Sequence, residues 1–245
     1  MEFDSFVLAA ATADLDEEPA ARPHADAVEF RMDMAADPAT QLAAYDGDLP
    51  LIATNRATWE GGEADGDDRL DALARAAEYD FVEAVDVELR ALRPGVAADD
   101  DANPGGTDVA AAAAADAEAA AETAAHARDQ GAAVLASVHD FEATPDAERL
   151  DALLEAAVDA GDVGKLAVTA HDRRDTLALL SATRKWTARG ERVATMSMGE
   201  PGRHTRAVAP VYGSRIGYAP VDPERATAPG QYDLATLASL VEQLG

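Results

Sequence analysis

Ser137-Val-His-Asp-Phe-Glu-Ala-Thr-Pro145 is the stretch on which the interpretation of this chain depends. Residues 131–136, just before it, form an apolar run that is typical of a buried strand. Just after it, Thr144, Pro145 and Asp146 indicate the start of a helix that ends before Gly161. Gly164-Lys165-Leu-Ala-Val168 then begins another apolar run, which contains a lysine. The stretch therefore predicts a strand–helix–strand unit with His139 at the end of the first strand.

His139 and Lys165 can face one spot if the two strands are parallel neighbours. A nucleophilic amine beside a proton shuttle is the arrangement that covalent amine catalysis requires. Two ordinary interpretations stay open, because a histidine at a strand end is often a hydrogen-bonded turn residue and a lysine at a strand start is usually exposed. Lysine usage favours the catalytic one: the chain has lysine only at Lys165 and Lys185, and its other basic residues are arginine. Lysine can be neutralised by burial, whereas arginine cannot.

The net charge of −27 argues against nucleic acid as a partner. The acidic residues are spread along the whole chain, and together with arginine in place of lysine they are typical of proteins from salt-accumulating halophiles. At molar salt the Debye length falls to about 3 Å, which removes most repulsion between distant acids. We therefore attribute most of the charge to the solvent and expect a soluble, cytoplasmic protein. The chain has no cysteine, no apolar run long enough to span a membrane and no basic signal-peptide start.

Strand-like and helix-like runs alternate from one end of the sequence to the other. We predict strands at residues 6–11, 28–34, 49–56, 81–89, 131–138, 165–170, 192–198 and 214–219. Helices are predicted at residues 38–45, 68–79, 108–129, 146–160, 174–189 and 234–244. Eight β/α repeats in a chain of this length favour a single (β/α)₈ TIM barrel over residues 1–245. A doubly wound open sheet is the alternative, but no glycine-rich phosphate loop follows the first strand.

Charged residues alternate with apolar ones in the second and fourth strands. Glu29, Arg31 and Asp33 occupy one face of the second strand, and Asp86 and Glu88 occupy one face of the fourth. Because side chains alternate across a strand, we expect the charged set to face the barrel axis and the apolar set to face the helices. An antiparallel strand with one wet face would give the same pattern. Around residues 98–130, an acidic loop and an alanine-rich segment form an insertion without obvious chemistry.

Four motifs in this order resemble the type I 3-dehydroquinate dehydratases of the shikimate pathway. They are the stretch from Ser137 to Pro145, Lys165 in its strand, Thr195-Met-Ser-Met198, and Ala228-Pro-Gly-Gln231. The resemblance extends over nearly the whole chain. It implies a (β/α)₈ barrel, a homodimer, and a reaction that needs no cofactor and no metal.

The resemblance also implies roles for individual residues. Lys165 corresponds to the Schiff-base lysine and His139 to the proton shuttle. Substrate-binding positions correspond to Glu29, Arg31, Arg56, Arg206, Thr227 and Gln231, with Arg206 on the substrate carboxylate. Glu60 follows Arg56 after the third strand, and Met196 and Met198 correspond to pocket-wall methionines.

The implied reaction is dehydration of 3-dehydroquinate to 3-dehydroshikimate through an imine on Lys165. We expect burial and a neighbouring cation to favour the neutral amine, and we expect Glu29 to orient His139. Two alternatives remain: another imine-forming lyase of the class I aldolase type, and a non-catalytic acidic binding protein. Aromatic amino acid biosynthesis is the usual setting of this family, with quinate breakdown as the other.

Overall fold

The computed structural model describes residues 1–66, 68–98, 106–222, 224 and 230–245, and in it eight strands alternate with helices. The strands are β1 (Val7–Thr12), β2 (Ala27–Arg31), β3 (Leu51–Thr54), β4 (Val82–Glu88), β5 (Ala133–Asp140), β6 (Val163–Thr169), β7 (Val193–Met198) and β8 (Ile216–Pro220). The α-helices are α1 (Glu18–Ala21), α2 (Pro38–Ala44), α3 (Arg69–Ala76), α4 (Leu89–Leu92), α5 (Pro94–Ala98), α6 (Gly106–Ala115), α7 (Ala117–Asp129), α8 (Ala147–Ala160), α9 (Arg173–Thr187), α10 (Gly199–Gly202), α11 (Thr205–Val208) and α12 (Leu234–Leu244). Among the described residues, 3-10 turns cover Leu15–Glu17, Met32–Met34, Thr58–Glu60 and Ala209–Tyr212.

The strands form one parallel sheet in the order β7-β6-β5-β4-β3-β2-β1-β8. This order wraps the sheet into a nearly closed barrel, with β7 and β8 at the seam. Side-chain hydroxyls close part of the seam: the backbone N–H of Thr195 donates to Ser214 Oγ at 3.0 Å, and the N–H of Ser197 donates to Thr205 Oγ1 at 2.9 Å. The (β/α)₈ prediction is confirmed, and the open doubly wound sheet is wrong.

Inward-facing side chains change from apolar to polar along the barrel axis. At the lower level they are small or apolar and buried, namely Ala27, Ile52, Ala84, Leu135 and Val163. Two residues further along the same strands they are polar and buried, namely Glu29, Thr54, Asp86, Ser137 and Lys165. The outward residues of β2 and β4, such as Phe30 and Val87, pack in the apolar cluster that includes Leu73 of α3. The predicted facing of Glu29 and Asp86 is therefore confirmed, and the charges lie toward the carboxyl ends of the strands.

Helices α8 and α9 hold β5 and β6 in place. Each helix begins where an aspartate caps it: Asp146 accepts from the backbone N–H of Arg149, and Asp172 forms a capping box with Asp175. Leucines of both helices pack on the outward residues of the two strands in one cluster. The strands that carry His139 and Lys165 are thus fixed from behind. Within the described residues, none of the helices is long and apolar enough to cross a bilayer.

Two of the predicted boundaries that differ from the structure bear on the site. Strand β2 ends at Arg31, and Met32–Met34 form a 3-10 turn, because Asp33 turns back to bind the Arg31 guanidinium at 2.9 and 2.7 Å. Strand β5 continues through Asp140, so His139 lies inside the strand.

The alanine-rich insertion forms two helices, α6 and α7, that meet at Asp116, where one helix was predicted. The Asp116 carboxylate binds Arg69 Nη2 at 2.7 Å, which ties the insertion to α3. Residues 99–105, most of the predicted acidic loop, lie outside the described residues.

Candidate active site

A pocket opens at the carboxyl ends of the strands, where the inward charges lie. Its lining combines acidic, basic and apolar side chains, and it includes Glu29, Arg31, Arg56, Glu60, His139, Lys165, Met196, Met198, Arg206, Tyr218 and Gln231. Seven of the eight site residues predicted from the sequence are therefore brought together. The eighth, Thr227, lies outside the described residues.

Lys165 lies at the floor of this pocket, with 3 % of its surface exposed. Its Nζ is 2.7 Å from Asp86 Oδ2 and 3.4 Å from Glu29 Oε1. The amine also lies over the Tyr218 ring, 4.2 Å from the ring centroid. The expected neighbouring cation does not contact the amine: both hydrogen-bonding contacts are carboxylates. Carboxylates and an aromatic face stabilise a positive nitrogen, and this applies equally to an ammonium and to a protonated imine.

Asp86 connects Lys165 to a buried ionic network. Its Oδ1 accepts from Ser137 Oγ at 2.6 Å and lies 2.6 Å from Arg56 Nη2. Burial acts to raise the pKa of Asp86, but Arg56 and Lys165 outweigh it and hold that pKa well below its usual range. Burial likewise acts to lower the pKa of Arg56, and Asp86 and Glu88 reverse the direction. Both groups are therefore charged at neutral pH.

His139 stands one inward position beyond Ser137, and its partner is Glu60. The backbone N–H of His139 donates to Glu60 Oε1 at 2.7 Å, and Nδ1 of the ring lies 3.4 Å from the same oxygen. The sequence-based expectation that Glu29 orients His139 is therefore wrong: Glu29 contacts Lys165 and Thr54. Burial, reinforced by Arg56, lowers the pKa of His139 to about 4. The imidazole is consequently neutral at pH 7, as a general base must be.

The predicted substrate arginines differ in their surroundings. Arg31 and Arg56 form ion pairs with Asp33 and Asp86, respectively. Burial lowers the pKa of Arg206 to about 10, against an opposing contribution from Glu29, so it is still a cation at neutral pH. A cation that is this poorly solvated gains more than an exposed one from an anionic ligand.

Sequence reasoning missed three residues of this site. Ser137 bridges Asp86 and Arg56, Tyr218 lies under the Lys165 amine, and Arg90 binds Glu60. A signal existed for the first two, because each lies on the inward face of its strand. No such signal existed for Arg90, because Arg90 lies in the first turn of a helix and the alternation of side chains along a strand does not extend to it.

The arrangement has the parts of amine catalysis in one pocket. A buried amine, a neutral imidazole and cations suited to an anionic substrate all face the same space. In the part of the chain that the structure describes, no three His, Asp or Glu side chains are grouped so that they could hold a metal ion.

Comparison with known proteins gives a consistent result. A family model described as Type I 3-dehydroquinase matches residues 6–245. The 3-dehydroquinate dehydratase of Haloarcula marismortui is 59 % identical over the whole chain and 98 % of the relative's length. That of Halobacterium salinarum is 51 % identical over the full length of both proteins.

Solved structures agree on the fold. The crystal structure of 3-dehydroquinate dehydratase from Geobacillus kaustophilus superimposes with a TM-score of 0.77 at 22 % identity, covering 98 % of this chain and 91 % of the other. The type I enzyme from Clostridium difficile, solved with covalently modified comenic acid, gives a TM-score of 0.76 at 23 % identity, with coverages of 98 % and 92 %.

Proposed function

The chain belongs to the type I 3-dehydroquinase family, and from that premise we propose how its own residues dehydrate 3-dehydroquinate to 3-dehydroshikimate. The chain is a hydro-lyase of the shikimate pathway, the route to the aromatic amino acids. The reaction proceeds through a Schiff base, which is characteristic of type I enzymes. We assign the Schiff base to Lys165.

Lys165 begins the reaction as the nucleophile. Its neutral amine attacks the C3 ketone to give a carbinolamine. The carbinolamine hydroxyl takes up a proton from the solvent and leaves as water, which gives a protonated imine. Asp86 and Glu29 lie within 3.4 Å of the nitrogen and offset the positive charge that the imine carries. That charge makes the imine an electron sink, so the adjacent C2–H bond becomes acidic.

His139 moves the protons. Its neutral ring removes the C2 proton, which leaves an enamine on Lys165 and an imidazolium beside Glu60. The imidazolium then returns this proton to the C1 hydroxyl, and water leaves as the C1–C2 double bond forms. Water hydrolyses the new imine, releases 3-dehydroshikimate and restores the amine. The chemistry uses the imine itself as the sink, so we propose that no cofactor or metal takes part.

The remaining pocket residues hold the substrate. Arg206 binds the carboxylate, because it is a buried cation that lines the pocket and its pKa is lowered by burial. Gln231 lines the same pocket from the segment before α12. Glu29, Arg31, Arg56 and Thr227 complete the proposed substrate-binding set.

The observation that supports this function most strongly is the register of β5 and β6. Ser137 pairs with Lys165 and His139 pairs with Ala167, so His139 stands one inward position above the amine on the adjacent strand. A separation of two residues is about 6.6 Å along a strand. This leaves room for a substrate carbon between the imidazole and an imine nitrogen on Lys165.

An absorbance assay for 3-dehydroshikimate with purified protein tests the reaction, and borohydride trapping tests the mechanism. Reduction in the presence of substrate or product should place one adduct on Lys165 by peptide mass mapping. An adduct on Lys185, or none, would contradict the imine mechanism. Lys165→Met should fold and be inactive. A class I aldolase-type enzyme would form an adduct with its own substrate and no 3-dehydroshikimate, and a binding protein would form neither.

We also propose a single catalytic domain over residues 1–245, a homodimer and a cytoplasmic location. The family match over residues 6–245 supports the single domain, and the homodimer and the location follow from the family resemblance. The names of the two most similar relatives cited above support a halophilic setting. Light scattering at molar potassium chloride would test the dimer.

A further inference from the structure

Arg90 is a buried cation directly behind the pocket. It follows β4 in the first turn of α4, with 5 % of its surface exposed, and it is not among the residues that line the pocket. Its Nη1 lies 2.7 Å from Glu60 Oε2. A buried guanidinium is costly unless it is paired, so this ion pair accounts for its placement.

Glu60 joins Arg90 to the proton shuttle. Its carboxylate is fully buried, and its two oxygens face different partners: Oε2 faces Arg90, and Oε1 accepts the backbone N–H of His139 at 2.7 Å. Nδ1 of the imidazole is 3.4 Å from the same Oε1, and Arg90 Nη1 is 3.5 Å from the His139 carbonyl oxygen. Arg90 and His139 therefore hold one carboxylate from opposite sides.

The charges around His139 explain why the Glu60 carboxylate matters for proton transfer. Arg56 at the end of β3 and Lys165 on β6 oppose a positive imidazole, and Glu60 favours one. Asp86 on β4 also interacts with the ring. Glu60 is the carboxylate in contact with Nδ1, so it is the group placed to stabilise the imidazolium that forms during proton transfer. Its orientation then controls which ring nitrogen faces the substrate.

We propose that Arg90 is a positioning residue for proton transfer: its ion pair keeps Glu60 turned with Oε1 toward Nδ1 of His139. With the proton on Nδ1, which faces Glu60 Oε1 at 3.4 Å, Nε2 is left as the base that meets the substrate. Burial acts to raise the pKa of Glu60, and the His139 hydrogen bond and Arg90 outweigh it, so the carboxylate is ionised at neutral pH. This role rests on the proposed function, because it presupposes that His139 transfers a proton.

Arg90→Gln should lower kcat about tenfold or more, a part of the 10²–10⁴-fold that an acid–base group contributes. KM should stay within about twofold, because Arg90 does not line the pocket. Loss of the guanidinium removes a positive charge close to His139, so the acid limb of kcat/KM should move up by about half a pH unit or more. Borohydride labelling of Lys165 should continue. Arg90→Lys keeps the charge and should restore part of kcat.

Arg69 offers a matched control. It is also 5 % exposed and forms ion pairs with Glu88 at 2.8 Å and Asp116 at 2.7 Å. Arg69→Gln should lower the melting temperature about as much as Arg90→Gln and should leave the acid limb in place. A kcat for Arg90→Gln within twofold of the wild type, or an acid limb that moves equally in both variants, would overturn the proposal.

The outcomes separate this inference from the proposed function. If the wild type makes no 3-dehydroshikimate or shows no adduct on Lys165, the proposed function fails whatever the Arg90 variants do. If Arg90→Gln does not fold, the comparison is made between Arg90→Lys and Arg69→Lys. Arg90→Lys should then lose at least about threefold in kcat, because a single ammonium holds the carboxylate less rigidly than a guanidinium. Equal kcat in the two lysine variants would overturn the proposal.

Discussion

Lys165 Nζ lies 2.7 Å from Asp86 Oδ2, although the two residues belong to strands that are separated by β5. The contact crosses the barrel interior, where both side chains are almost completely buried. Before the reaction the Asp86 carboxylate faces the Lys165 nitrogen, and after imine formation it faces an iminium at the same place. The charge of Asp86 is therefore in place before the charge of the intermediate develops.

Asp86→Asn should lower kcat about 100-fold, because it keeps the shape of the side chain and removes the charge opposite the iminium. The other lysine of the chain provides the control: Lys185 forms an ion pair with Asp151 at the surface. Asp151→Asn should leave kcat unchanged. Steady-state kinetics of both variants would test this, and an Asp86→Asn enzyme with wild-type kcat would show that the charge has no part in the reaction.

The His139→Ala variant should form the imine and then convert it to product very slowly. Because His139 moves protons while Lys165 forms the bond, the variant should turn over about 10²–10⁴-fold more slowly than the wild type. Intact-protein mass spectrometry after mixing with substrate should show accumulated adduct without borohydride. Near-normal turnover would mean that His139 is a structural residue of the strand end.

Acid should destabilise the fold through His139. Its pKa is about 4 in the folded protein, against 6.5 for an unperturbed histidine. Between these values the unfolded chain binds a proton that the folded protein does not, so stability is lost as the pH falls from 6.5 to 4. The full effect is about 3 kcal/mol, from 1.36 kcal/mol per pKa unit. Urea titrations at pH 7 and pH 4.5 should show a smaller loss in His139→Asn, and equal losses would contradict the prediction.

Ser214→Ala should lower the free energy of unfolding by about 1–3 kcal/mol, because the buried N–H of Thr195 would lose its acceptor. Ser239 on the exposed face of α12 is the matched control, since its hydroxyl contacts only the exposed Gln243 among the contacts described for it. Ser239→Ala should change the unfolding free energy by less than about 0.5 kcal/mol. Equal effects in the two variants would mean that the seam does not depend on this hydroxyl.

Salt should be required for the fold. With 47 acidic and 20 basic residues, lowering the ionic strength from about 1 M to about 0.01 M lengthens the Debye length from about 3 to about 30 Å. Repulsion among the acids then opposes a net stability of about 5–15 kcal/mol. Screening also weakens substrate capture by Arg206, so activity should be highest at high but not saturating potassium chloride. Circular dichroism and turnover across a salt series would test this, and a fully folded, active enzyme at the lowest salt would contradict it.

The barrel could be predicted because strands and helices alternate along the sequence, and the inward charges of β2 and β4 could be predicted because side chains alternate along a strand. Lys165 and His139 could be placed in one pocket because neighbouring parallel strands end at one edge. The partners of these residues could not be predicted. Glu60, which contacts His139 at 3.4 Å, lies in a 3-10 turn, where side-chain direction follows no period. Asp86 reaches Lys165 past β5 on the inside of the barrel, which depends on barrel curvature and not on local sequence.

The seam between β7 and β8 lies beside residues that shape the pocket, away from the strands that carry the reacting residues. Strands β4 to β6 carry Asp86, His139 and Lys165 on uninterrupted backbone ladders, whereas the hydroxyls of Ser214 and Thr205 complete the edge of β7. The side chains near that edge include Met196, Met198, Tyr218 and Arg206. These side chains shape the pocket and transfer no proton in the proposed reaction. An evolving lineage can therefore exchange residues at the seam and reshape what the pocket admits, while the inherited reaction centre keeps its strand register.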